Sequence, residues 1–136
     1  MIPHAPKVIV IDFDGTLCEF DFPRIGPAID GAKEALQKFR ELGYYIIIYS
    51  CRTSKWLSEQ YEECDTTPVM ERQRVKDMVD WLILNEIPFD CIDDGSKGKP
   101  AAEIYLDDKA YRVDHNWNYI SKLIEYMTVE DSQIDF

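Results

Sequence analysis

The chain has no run of about 18 apolar residues, so no segment is expected to span a membrane. Its first residues, Met1-Ile2-Pro3-His4-Ala5-Pro6, lack the apolar stretch of a secretory leader, and a cytoplasmic location is expected. Positive charge is scarce: 15 Lys and Arg stand against 26 Asp and Glu, a net charge of −11 at pH 7. Extended binding along nucleic acid needs a row of cations against the phosphates, and this balance disfavours it. A single anionic group held by a local positive site remains open. The four cysteines, Cys18, Cys51, Cys64 and Cys91, form no CxxC pair, and the only histidines are His4 and His115. A structural zinc is not expected from that set, and four reduced thiols are the plain reading. There is no internal repeat and no low-complexity segment.

What is present is organised around one stretch, Lys7-Val8-Ile9-Val10-Ile11-Asp12-Phe13-Asp14-Gly15-Thr16-Leu17. Its β-branched apolar run reads as a buried parallel strand. The run stops on Asp12 and Asp14, which a buried strand tolerates only at its end, paired or on a metal. Positions two apart share a strand face, so both carboxylates can meet one site while Phe13 turns inward. Gly15 permits a sharp exit, and Thr16 offers a hydroxyl.

At 136 residues the chain fits one domain with its own core. Ala28, Ile29, Ala32, Ala35, Leu36, Phe39 and Leu42 fall at helical spacing, with Gly43 as the C-terminal glycine. Tyr44 to Tyr49 reads as a second strand ending on Ser50-Cys51-Arg52. A short helix is expected over Lys55–Glu63. A longer one follows Thr67 as N-cap, with Pro68 at its first position, and ends near Glu86. Phe89–Ile92 and Ala102–Leu106 read as strands, the second ending on Asp107-Asp108. A last helix is expected from Trp117 to about Tyr126, burying Trp117, Ile120, Leu123 and Ile124, with residues 128–136 a fraying acidic tail. Strands that alternate with helices predict an α/β fold with a central parallel sheet and helices on its faces. Ligands of such sheets bind at the carboxyl ends of the strands, where Asp12, Asp14, Ser50, Asp107 and Asp108 all fall. Carboxylates without a His or Cys cluster suit Mg²⁺. If the last strand continued through them, Asp107 and Asp108 would point to opposite sides. That places Asp107 directly on the metal and Asp108 behind it. A metal, a nucleophilic carboxylate and a lysine together suggest phosphoryl transfer through an aspartyl-phosphate.

Asp12-Phe13-Asp14-Gly15-Thr16-Leu17 resembles the first motif of the haloacid dehalogenase-like hydrolases, an apolar strand followed by DxDGT. Ile46-Ile47-Ile48-Tyr49-Ser50 resembles their second motif. Lys99 in Gly98-Lys99-Pro100 resembles the third, and Ile104-Tyr105-Leu106-Asp107-Asp108 the fourth. The resemblance is closest to small members without a cap domain. It implies a Rossmann-like three-layer sandwich with no substantial cap and a phosphatase activity that depends on Mg²⁺. By the same resemblance Asp12 is the nucleophile and a metal ligand. Asp14 is the acid and base, with its carbonyl on the metal. Ser50 and the backbone at Cys51 hold the phosphoryl group, and Lys99 neutralises it, with Lys97 the alternative lysine. Asp107 and Asp108 complete the metal site.

The expected substrate is a small phosphorylated metabolite or nucleotide. A nucleotidase or polynucleotide 3′-phosphatase is the enzymatic alternative. A phosphate-binding or phosphoacceptor domain without turnover is the alternative of another class. Phe20, Phe22 and Trp56 could wall the site, and Arg24 and Arg52 could meet a second anionic group. Equally, the aromatics could pack inward and the arginines pair with nearby acids. With so little covering structure, a second subunit could close the site.

Overall fold

The computed structural model describes residues 7–53 and 68–134, with the backbone alone for 68–71 and 131–134. The Lys55–Glu63 helix, Trp56 and the Thr67 cap fall outside the described residues. Four strands, β1 (Lys7–Ile11), β2 (Tyr44–Ile48), β3 (Cys91–Ile92) and β4 (Ile104–Leu106), form one sheet in the order β3-β2-β1-β4. Every pairing is parallel. Ile9 stands opposite Ile46 on one side and Ile104 on the other, so β1 is hydrogen-bonded along both edges. β1 and β2, the strands with the apolar runs, are thus both interior, as burial on both faces requires. Helices α1 (Ala32–Glu41), α2 (Pro68–Leu84) and α3 (Trp117–Ile134) flank the sheet. The core joins Ile9, Ile11, Ile46 and Ile48 from the sheet to Leu36, Met78 and Leu82 from the helices. Each such side chain contributes about 1.5–3 kcal/mol on burial. Phe13 is fully buried and meets the edge of Trp81, with ring centroids 5.2 Å apart and planes at 88°. No described helix is long and apolar enough to cross a membrane.

Between β1 and β2 lie an ordered loop and α1. The loop is closed by bridges from Cys18 to Asp14 and to Ala28. A Cβ on Gly26 would collide with the Glu19 carbonyl, so only glycine lets the two ends of this loop lie together. The amide of Ile29 donates to Leu17 O at 3.0 Å, which draws residues 28 and 29 out of the helix that their spacing suggested. The helix starts instead after Gly31, at φ 89°, and ends before Gly43, at φ 93°.

The last helix differs from expectation in two ways. It runs on to Ile134 where a fraying tail was expected, because no Gly or Pro interrupts 117–134. Bonds from Thr128 Oγ1 to Ile124 O (2.7 Å) and from Tyr126 Oη to Glu130 Oε1 (2.7 Å) also support its turns. Its apolar arc is wider than the surface it covers. Ile120 is buried and Leu123 half-buried, but Trp117 is 66% and Ile124 51% exposed.

Candidate functional site

From β1 the chain moves outward to β2 and β3, then returns to place β4 on the other side of β1. The carboxyl ends of β1 and β4 therefore flank the point where the winding reverses, and a crevice opens there in sheets of this kind. The amide of Asp12 donates to Leu106 O at 2.9 Å and holds the two ends together. One carboxylate oxygen from each of Asp12, Asp107 and Asp108 lies within 4.8 Å of the others.

Asp107 and Asp108 do not diverge as strand alternation predicts. The strand stops at Leu106, and the chain bends at Asp108 and Lys109. Asp107 Oδ1 accepts the Lys109 amide at 2.8 Å. The Asp108 carboxylate lies against Gly15, where a Cβ would collide with it. Asp108 is thus as close to the cluster as Asp107, not behind it. Gly15 sits at φ 85°, so a side chain there is also strained in the backbone. Gly15→Ala should displace Asp108 and cost about 1–2 kcal/mol of stability. A melting curve unchanged from wild type would show that this contact is slack.

Burial first, then the neighbouring charge of Asp107 and a hydrogen bond with Asp108, push the Asp12 carboxyl up to about 7. The Phe13 amide and the Thr16 hydroxyl oppose this, the latter donating to Asp12 Oδ2 at 3.1 Å. A set of crowded oxygen ligands with a carboxylate held partly protonated fits a hard divalent cation, which would relieve the repulsion. Mg²⁺ suits this donor set, with Asp12, Asp107 and Asp108 as the side chains to hold it.

Asp14 shares the site but its carboxylate turns elsewhere. It is buried, and its two oxygens accept from Arg52 Nε at 2.8 Å and Nη2 at 2.7 Å. Of the two roles open to Arg52 in the sequence, a second anionic group on the substrate or a nearby acid, the structure shows the pairing with an acid. Arg52 is 1% exposed, the largest fully buried side chain among the described residues. The reason is Asp14 itself: a buried carboxylate needs a partner, and removing one member of such a pair costs about 3–5 kcal/mol. Ser50 is buried at the end of β2, and its Oγ accepts the Arg52 amide at 3.1 Å. The next three residues, Cys51–Thr53, form a single 3₁₀ turn. Cys51 is exposed as a residue, yet desolvation of its thiol, then the charges of Asp14 and Asp12, push its pKa up. A protonated thiol is a poor nucleophile.

The loop after β1 carries Phe20, 58% exposed, and Arg24, whose guanidinium pairs with Asp21 at 3.3 Å. Phe22 is half-buried against Arg52. Lys99 makes no ion pair among the described residues, and its Nζ lies 4.3 Å from the centre of the Tyr105 ring. The turns of its own loop, including the Ser96 amide on Asp94 Oδ1 (2.9 Å), hold the backbone so that the edge-strand ring is the face it meets. Lys97 is exposed, with its charge near Asp94. A lysine given no role from the sequence does link the two loops. Lys109, directly after Asp108, reaches over the Phe20 ring at 4.8 Å and joins the loops that follow β1 and β4. Its position next to the paired aspartates was the available signal.

These features define a parallel α/β protein with an acidic cluster at the switch point of its sheet. No family model matches the chain, and no curated protein matches it. Among solved structures it is similar to a conserved protein of Bacteroides thetaiotaomicron. The identity is 23% over 90% of this chain and 93% of that one, with a TM-score of 0.56. It is also similar to a crystal structure from Vibrio cholerae, at 24% identity over 89% of this chain and 98% of that one, with a TM-score of 0.45. The first of these likenesses establishes a shared fold.

Proposed function

We propose that the protein is an Mg²⁺-dependent phosphomonoesterase of the haloacid dehalogenase-like type, working through an aspartyl-phosphate on Asp12. The observation that carries this reading is the meeting of Asp12, Asp107 and Asp108 at the crevice between β1 and β4. Bound Mg²⁺ would hold the substrate phosphate and offset the charge of the three carboxylates. In the first step an Asp12 oxygen attacks phosphorus. The ester P–O bond breaks, and its electron pair leaves with the alcohol oxygen, which takes a proton from Asp14. In the second step water attacks phosphorus, its proton passes to Asp14, and the P–O bond to Asp12 breaks. The sum is ester plus water giving alcohol plus phosphate. Ser50 and the backbone at Cys51 would hold the phosphoryl oxygens. The proposed substrate is a small phosphorylated metabolite or nucleotide, whose remainder would meet Phe20, Arg24 and Lys109 on the loops that follow β1 and β4. The net charge of −11 weighs against a polynucleotide.

A second reading, a phosphoacceptor that is not turned over, draws on the grip of Arg52 on both oxygens of Asp14. One experiment separates the two. The protein is incubated with acetyl phosphate and Mg²⁺, and phosphate release is followed along with the mass of the intact chain. Continuous release with many turnovers supports the phosphatase. A stable adduct on Asp12 with a single turnover supports the acceptor, and neither event removes both.

A further inference from the structure

We infer that Arg52 is the positioning residue for Asp14, an inference that rests on the phosphatase reading above. Arg52 acts on the reaction only through Asp14, and its guanidinium is anchored beyond that carboxylate as well. Its Nη1 donates to Pro23 O at 3.1 Å and its Nη2 to Arg24 O at 3.0 Å, besides the two bonds to Asp14. The Phe22 ring centre lies 4.9 Å from the guanidinium carbon, and the Phe13 ring centre 5.6 Å. A carboxylate on a strand-end turn has several staggered orientations open to it. A planar fork that meets both oxygens leaves one, and each oxygen keeps a second lone pair for proton exchange. The same short turn that presents Ser50 also carries Arg52, through the bond from the Arg52 amide to Ser50 Oγ. One turn therefore sets both the phosphate-holding hydroxyl and the orientation of the acid–base carboxylate. It also ties Asp14 to the Pro23 and Arg24 carbonyls of the loop that follows β1.

A lysine at this position keeps the charge and loses the fork. Arg52→Lys, Asp14→Asn and the double variant are compared with wild type in the full chain with Mg²⁺. The substrates are p-nitrophenyl phosphate and glycerol 2-phosphate. Misplacing a reacting group by about 1 Å costs about 10²-fold, so Arg52→Lys should lose that much in kcat with KM little changed. The double variant should be no slower than Asp14→Asn alone, within about two-fold. Losses that multiply in the double variant overturn the inference, as does a fall confined to KM. An Arg52→Lys chain that fails to fold makes Arg52 a structural residue and overturns it too. A wild type that cleaves neither ester and gives no phosphorylated Asp12 removes the phosphatase reading, and this one with it. An active wild type with multiplying losses removes this one alone.

Discussion

Asp12→Asn is expected to fold, to lose turnover by several orders of magnitude, and to be more heat-stable than wild type in metal-free buffer at pH 8. The first loss follows from covalent catalysis, for which an amide oxygen is no substitute. The gain in stability follows from the raised carboxyl of Asp12, which moves from 3.8 to about 7 on folding. A carboxyl raised in this way binds its proton more tightly in the folded chain than in the unfolded one. Its contribution to stability is complete below about 3.8 and is lost as pH rises through about 7. Above that, the folded state holds an ionised carboxylate beside Asp107 and Asp108, a destabilising arrangement that solvent reaching Asp12 screens in part. Asparagine removes that charge, and each kcal/mol recovered is worth about 2–4 °C in Tm. Near-wild-type turnover in the pure variant would end the assignment of Asp12. A lower Tm at pH 8 without metal would show that the cluster is not under repulsion.

The second large effect is that of the cation. Chelation should abolish activity and Mg²⁺ should restore it. In wild type, Mg²⁺ at about ten times its dissociation constant should add about 1.4 kcal/mol to stability, or about 3–5 °C in Tm. At pH 5 the rise should shrink, because Asp12 then carries a proton that the ion must displace. Asp107→Asn and Asp108→Asn should each weaken the response, since both carboxylates reach the cluster. Full activity in metal-free buffer would refute the metal role. A Tm rise of equal size at pH 5 and pH 8 would place the ion away from Asp12.

The parallel α/β architecture and the strand-end carboxylates were legible because they rest on local pattern. An apolar β-branched run that stops on Asp-Phe-Asp-Gly has few ways to fold, and Phe13 and Gly15 sit where that pattern places them. What was not legible depends on where chains meet. Pairing with an acid and facing substrate were both open to Arg52; its grip on Asp14 joins positions 38 apart, and only the closeness of the β1 and β2 ends decides between the two. Asp108 was assigned by extending strand alternation past Leu106, where no strand exists. Lys99 was assigned by the resemblance of its loop, while its side chain answers to the Tyr105 ring. Trp117 and Ile124 follow helical spacing faithfully, but spacing does not say how much surface lies opposite to receive them.

The strand that leads into Asp107 and Asp108 is three residues long, stands at the edge of the sheet and, among the described residues, pairs with β1 alone. Such an edge opens locally at far less cost than the sheet as a whole. An ion held as proposed, between Asp12 on one side and Asp107 and Asp108 on the other, would also be a fastener between β1 and β4. Its binding free energy would add to the free energy of that opening, and each opening would pull two of its ligands away. Retention of the ion and hydrogen-exchange protection of Ile104–Leu106 would then be two readings of one equilibrium. On that proposal the ion would be released no more slowly than β4 peels from Ile9–Ile11.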